Sequence, residues 1–120
     1  MYRWVRQLAA AAAAIVATHA TAHSQLELTV PAAGSTVRES PQRVELRFSQ
    51  RLEPAFSKIR VLSRDGEQVD NRDSTVDRSD ARQLGVSMPR LPPGTYRVRW
   101  RVLSVDTHVS EGHFTFDVSP

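Results

Sequence analysis

Apolar and polar residues alternate along most of the chain after position 25. The alternation is clearest over residues 26–30, 44–48, 59–61, 84–88, 96–102 and 114–118. A period of two is typical of β-strands that are buried on one face, whereas the helical period of three to four residues is absent. The pattern therefore predicts six or seven short strands, each with one face toward a core and one toward water.

Turn-forming residues separate these runs, at positions 31–35, 40–41, 65–66 and 92–94. Short strands joined in this way predict an all-β, immunoglobulin-like Greek-key β-sandwich of about seven strands. Tyr96 follows Gly94 at the start of a strand, which is the layout of a tyrosine corner. The chain has no cysteine, so no disulfide holds the sandwich together. Aromatic residues such as Trp100 must therefore fill much of its core.

The first 22 residues have a different character. Arg3 and Arg6 precede a short apolar run at residues 8–17, and residues 20–22 read Ala-Thr-Ala. A positive segment, an apolar segment and small residues before a cut are typical of a secretory signal peptide. The apolar run is shorter than the about 20 residues that a membrane span requires. We therefore predict a signal peptide at residues 1–22 and no stable membrane insertion after its removal.

Cleavage after Ala22 would make His23 the first residue of the mature chain. The remaining residues 23–120 suffice for one domain and are too few for two. A cut after Ala20 is the alternative, and it would leave His23 as the third residue. The first cut places small alanine at both recognition positions, so we predict a single exported domain at residues 23–120.

Charge and cysteine usage exclude several functions. The chain has 16 basic and 13 acidic residues, and the predicted signal peptide removes Arg3 and Arg6 from the basic set. The remaining arginines are interleaved with acids, which is typical of a solvated surface, so we predict no nucleic-acid partner. The absence of cysteine excludes thiolate metal sites and thiol redox chemistry.

Residues 64–83 form a polar stretch with five aspartates and raise the question of a calcium site. A calcium loop that began at Asp70 would need a glycine where Thr75 stands. We therefore predict a solvated loop, with a short edge strand around Val69.

A different metal site is suggested by two other segments. As a first residue, His23 would offer both an α-amine and an imidazole, which can close a chelate ring on one ion. Asp106 and His108 lie two positions apart after a strand, so their side chains point the same way if the segment is extended. Nitrogen and oxygen donors of this kind suit a tetragonal Cu(II) ion.

Each of these residues also has a structural interpretation. His108 is compatible with an ordinary surface histidine, and Asp106 with a turn that its side chain closes. His23 at the new terminus is compatible with an accident of the cleavage position. His113 lies next to Gly112 at the opening of the last strand, and we predict that it faces outward and binds no metal.

Two parts of the chain resemble the CopC family of periplasmic copper-resistance proteins. The first comprises His23, Pro-Ala-Ala-Gly-Ser at 31–35 and Val-Glu-Leu-Arg-Phe-Ser at 44–49. The second runs from Pro93 through Ser-Val-Asp-Thr-His at 104–108 and continues to Phe-Thr-Phe-Asp-Val at 114–118. The likeness covers nearly all of residues 23–120.

The resemblance implies one Cu(II) ion per chain. Its ligands would be the amine and imidazole of His23, the carboxylate of Asp106 and the imidazole of His108. Some family members hold a second, Cu(I) ion in a methionine-rich loop. The corresponding region here has only Met88, so we expect a protein that binds Cu(II) alone.

The function that this resemblance implies is copper resistance or homeostasis in the periplasm, as a monomeric carrier or buffer and not as an enzyme. A separate inner-membrane copper transporter of the CopD type would be its partner. Binding requires deprotonated ligands, so affinity should fall as the pH drops through about 6 to 7. Two alternatives are a copper-dependent oxidase, which the paired histidines also resemble, and a metal-free interaction module of immunoglobulin-like fold.

Overall fold

The computed structural model describes residues 25–120, and these form eight strands and one short 3₁₀ helix. The strands are β1 (Leu26–Val30), β2 (Thr36–Val37), β3 (Arg43–Phe48), β4 (Lys58–Leu62), β5 (Thr75–Val76), β6 (Gln83–Ser87), β7 (Gly94–Leu103) and β8 (Val109–Val118). The 3₁₀ helix is Pro54–Phe56. No helix among the described residues is long and apolar enough to span a membrane.

The strands form two four-stranded sheets. The first sheet has the order β1-β3-β6-β5, and the second has the order β2-β8-β7-β4. All neighbours pair antiparallel except β2 and β8, which are parallel. The predicted all-β sandwich is confirmed. The strand count is eight instead of about seven, because two-residue strands such as β2 and β5 are too short to show an alternating pattern.

The core lies between the two sheets and is built by the alternation seen in the sequence. Val44, Leu46 and Phe48 of β3 are fully buried and belong to the same hydrophobic core as Val98 and Val102 of β7. Phe48 packs edge-to-face on Trp100, with ring centroids 5.2 Å apart, and so joins the two sheets. Aromatic pairs of this geometry add to the stabilisation that comes from burial, as expected of a sandwich without a disulfide.

The predicted tyrosine corner is present. The hydroxyl of Tyr96 donates a hydrogen bond to the carbonyl of Pro92, four residues earlier. The ring of Tyr96 is buried and stacks on Phe116 with centroids 5.7 Å apart. This contact ties the start of β7 to the turn that precedes it.

Strand β1 departs from the prediction that its apolar residues share a buried face. Leu28 and Val30 are 56% and 50% exposed. The register shifts between Leu26 and Leu28, because Leu26 pairs with Phe48 while Leu28 pairs with Arg47. A bulge of this kind turns the following side chains to the other face of the sheet, so Leu28 and Val30 lie outside the core.

The loop at residues 64–83 is also more structured than predicted. Its two-residue strand is β5, at Thr75–Val76. Around Val69, where an edge strand was predicted, an isolated antiparallel bridge joins Gln68 to Leu62, and Val69 donates its backbone N–H to the carbonyl of Val61 at 2.8 Å. Asp70 is buried, with 7% of its surface exposed, although a charged run usually faces water.

Candidate metal centre

The turn between β7 and β8 brings two of the predicted ligands together. Leu103 and Val109 are the last pair of the antiparallel ladder, and the backbone N–H of Ser104 donates to the carbonyl of His108 at 3.0 Å. Thr107 has a φ of 71°, which reverses the chain within the turn. Asp106 and His108 are therefore neighbours because of a tight turn, and not because they alternate along an extended strand.

Ser104 organises this turn from a fully buried position. Its hydroxyl donates a hydrogen bond to Oδ1 of Asp106 and accepts one from the backbone N–H of His108 at 3.4 Å. Ser104 belongs to the segment that resembles the family, but the sequence alone gave it no role. The sequence did contain a signal for this role, because a small polar residue two positions before an aspartate in a hairpin turn can form a local side-chain hydrogen bond.

Asp106 and His108 contact each other directly. Nδ1 of His108 lies 3.3 Å from Oδ1 of Asp106, and their side chains are 44% and 34% exposed. The hydrogen bond from Ser104 lowers the pKa of Asp106, and the contact with His108 lowers it further. Asp106 is therefore a carboxylate at neutral pH, which is the form that binds metal ions.

The third predicted ligand, His23, lies outside the described residues. Two residues after it, the carbonyl of Gln25 accepts a hydrogen bond from the N–H of Ser49 at 2.8 Å. Arg51 lies two residues after Ser49, and its carbonyl accepts a hydrogen bond from the N–H of Val105 at 2.9 Å. The start of β1 and the turn at 104–108 thus border the same short segment, at one end of the sandwich.

Asp106 and His108 are a pair and not a complete set of ligands. Among residues 25–120, no three histidine or acidic side chains lie close enough together to hold a metal ion. His113 lies in the middle of β8, opposite Arg99 in the ladder, and its side chain is exposed. Its predicted outward orientation is confirmed, although β8 begins four residues before it.

The aspartates of the 64–83 loop serve the fold. Asp70 accepts hydrogen bonds from the backbone N–H groups of Val61 and Arg72 at 2.8 and 2.7 Å. Asp73 accepts hydrogen bonds from the N–H and hydroxyl of Ser87, which lower the pKa of Asp73. Asp70 and Asp73 therefore each bind separate partners within the fold.

Comparison with known proteins identifies the family. The model of the CopC domain matches residues 26–119. The chain is 36% identical over 112 residues to Protein YobA of Escherichia coli K12, covering 92% of this chain and 90% of the relative.

Two solved structures share the fold. CopC from Methylosinus trichosporium OB3b is 39% identical, with a TM-score of 0.77, and the match covers 82% of this chain and 95% of that one. PcoC from Escherichia coli, described as a methionine-rich copper resistance protein, is 32% identical, with a TM-score of 0.70, and the match covers 82% and 100%. The chain therefore belongs to the CopC domain family.

Proposed function

We propose that the protein is an exported copper-binding carrier or buffer that holds one Cu(II) ion. The ligands in this proposal are the α-amine and imidazole of His23, the carboxylate of Asp106 and the imidazole of His108. Signal-peptide cleavage after Ala22 completes the set. The observation that carries the proposal is the contact between Asp106 and His108 in a partly exposed turn.

The chemistry of this set fits Cu(II). An amine, two imidazoles and a carboxylate are nitrogen and oxygen donors that favour tetragonal Cu(II), and Cu(II) has the highest affinity among the common divalent ions of its series. Soft sulfur ligands would be needed for Cu(I). Met88 is buried in the hydrophobic core. We therefore propose a site for Cu(II) alone.

The distances along the chain support a contribution from His23. His23 precedes Gln25 by two residues, and Ser49 precedes Arg51 by two residues. Two extended residues span at most about 7 Å. Gln25 is hydrogen-bonded to Ser49, and Val105 is hydrogen-bonded to Arg51, so the amino terminus needs only a short path to approach the turn.

The biological role follows from the family. PcoC is a copper resistance protein by name, and the curated relatives include copper resistance and copper transport proteins. The protein is a member of this group and not an enzyme, so the copper-dependent oxidase is not favoured. We propose a periplasmic location, a monomer, and exchange of copper with a separate membrane transporter of the CopD type. The partial exposure of the turn would let the ion enter and leave.

A matched pair of variants tests the site. His108→Ala should lower Cu(II) affinity by at least about 100-fold, because one of two imidazole ligands is lost. His113→Ala removes an exposed histidine from β8, the strand that follows the turn, and should leave the affinity unchanged. Competition titration with a Cu(II) chelator measures both constants. Equal affinities in the two variants would contradict the proposed site and favour a metal-free interaction module.

A further inference from the structure

The outer face of the second sheet carries a groove in which four of the nine lining residues are cations. Its volume is about 580 Å³. We call it the basic groove, and its charged walls are formed by Lys58 and Arg60 of β4 and by Arg99 and Arg101 of β7. All four side chains are exposed.

The cations of the basic groove stand directly opposite one another. In the antiparallel ladder Lys58 pairs with Arg101, and Arg60 pairs with Arg99. Like charges in such positions destabilise a sheet. One acid also lines the groove, Glu111, and it lies 3.8 Å from Arg101 with both side chains about two-thirds exposed. The groove is therefore left with a strong excess of positive charge.

On the outer face of the first sheet, two arginines form ion pairs with acidic residues. Arg43 contacts Glu45 at 3.2 Å, and Arg47 forms an ion pair with Asp80. Among residues 25–120, neither Arg60 nor Arg99 forms an ion pair. The unpaired cations thus distinguish the outer face of the second sheet from that of the first.

We propose that the basic groove binds an extended acidic segment of a partner protein, with carboxylates at alternate positions. Side chains two residues apart on a strand repeat every 6 to 7 Å or so, and the facing strand lies about 5 Å away. The pair Lys58 and Arg101 and the pair Arg60 and Arg99 follow this repeat. A strand-like acidic segment has the same repeat, so successive carboxylates would each meet one pair of cations.

The shape of the surface favours a polypeptide over a lipid bilayer. The charges line a concave groove, which admits a single extended chain more readily than a flat array of headgroups. Phe56, at one edge of the groove, is 66% exposed. It offers an apolar contact to a residue beside the carboxylates, and aromatic residues of this kind are enriched at protein interfaces.

The position of the groove relates it to the candidate metal centre. Arg101 lies two residues before Leu103, which pairs with Val109 at the edge of the turn. A segment bound in the basic groove would therefore lie close to Asp106 and His108. This interaction goes beyond the proposed function and does not depend on copper, because none of the cations is a proposed ligand.

A spacing-matched peptide assay tests the inference. The probe is a fluorescent peptide in which glutamate alternates with serine, titrated with the exported protein at low salt and followed by fluorescence anisotropy. We expect saturable binding that weakens as salt increases. A peptide with the same number of glutamates at every third position should bind less tightly, because its carboxylates alternate between faces of an extended chain.

Charge-matched variants provide the control. Arg60→Ser with Arg99→Ser should weaken peptide binding about tenfold, a loss of about 1.4 kcal/mol. Arg43→Ser with Arg47→Ser removes the same charge from the other sheet and should change the affinity less than about twofold. His108→Ala should retain peptide binding, which separates this result from a failure of the copper site.

Three results would overturn the inference. The first is an absence of binding, and the second is an equal effect of the two arginine pairs, which would indicate attraction to net charge alone. The third is binding to vesicles of anionic phospholipid that the alternating peptide does not displace, which would indicate a membrane surface as the occupant.

Discussion

Two segments of this protein carry aspartates that could bind a metal, and the structure uses them in opposite ways. In the 64–83 loop, both carboxylate oxygens of the buried Asp70 accept backbone hydrogen bonds. In the turn at 104–108, the partners of the more exposed Asp106 are a serine hydroxyl and an imidazole. A buried carboxylate that accepts backbone hydrogen bonds with both oxygens is needed for the fold. A carboxylate beside an imidazole at a partly exposed turn can exchange that contact for a metal ion.

This difference predicts that stability and copper affinity depend on different segments. Substitutions in the 64–83 loop should alter stability and leave copper affinity unchanged, and substitutions at the surface of the turn should do the reverse. Any variant that alters both to the same extent would weaken the distinction between the two segments.

The largest expected effect is that of Asp70→Ala. The buried N–H of Val61 would lose its acceptor, at a cost of about 1–3 kcal/mol, and the N–H of the exposed Arg72 would lose its acceptor as well. We expect the free energy of unfolding of the metal-free protein to fall by about 3 kcal/mol, measured by urea denaturation. Cu(II) affinity of the folded variant should be unchanged. A loss below about 0.5 kcal/mol would show that Asp70 does not hold the loop.

The next effect is that of Asp106→Ala on copper binding. Removal of one of the proposed ligands should weaken Cu(II) binding about 30-fold, or about 2 kcal/mol, in a chelator competition assay. The unfolding free energy should change by less than about 0.5 kcal/mol, as is usual for an exposed side chain. Asp77→Ala, which removes another exposed aspartate, is the control and should leave copper affinity unaltered.

Ser104→Ala sharpens the comparison within the turn, since Ser104 positions Asp106 without being a ligand. Loss of a residue that orients a metal ligand typically costs at least about tenfold in affinity, and we expect an effect near that value. Ser104→Thr retains the hydroxyl and should restore part of the affinity. If Ser104→Ala binds Cu(II) as tightly as the natural chain, the hydrogen bond to Asp106 does not matter for the site.

The smallest effect concerns Asp73 and the pH. Hydrogen bonds from Ser87 lower the pKa of Asp73 in the folded chain. The stabilisation is therefore present above the unfolded pKa of about 3.9 and is lost as the pH falls through the lower folded value. Asp73→Asn should cost less than about 1 kcal/mol at pH 6, because the group is exposed. The difference from the natural chain should disappear near pH 2, and a constant difference between these pH values would contradict this account.

Much of this fold was predictable from the sequence, because strands with one buried face produce an alternation of apolar and polar residues that is visible within a few positions. The tyrosine corner at Tyr96 was predictable because it depends on residues a few positions apart. The closeness of Asp106 and His108 was also expected, but from an extended segment, whereas a tight turn produces it. The bulge that exposes Leu28 was not, because a register shift depends on the neighbouring strand. The burial of Asp70 was not predicted, because Asp70 lies in a loop and its hydrogen-bond partner Val61 lies on β4.

The basic groove illustrates the same limit at longer range. The arginines of β7 were predicted to face water, and they do. The juxtaposition of like charges depends on the position of β4 beside β7, which places Arg60 opposite Arg99. Strand order in a sandwich is set by packing across the whole domain, so no local pattern in the sequence reveals which charges will face each other.

The most direct test of the copper site combines mass spectrometry of the exported protein with Cu(II) titration followed by electron paramagnetic resonance. We predict a mature chain that begins at His23 and binds one Cu(II) ion with tetragonal, nitrogen-rich parameters. An added alanine before His23 should abolish that signal, because the chelating α-amine is displaced. A chain that begins elsewhere and binds no Cu(II) tightly, or one whose spectrum is unchanged by the added alanine, would contradict the proposed site.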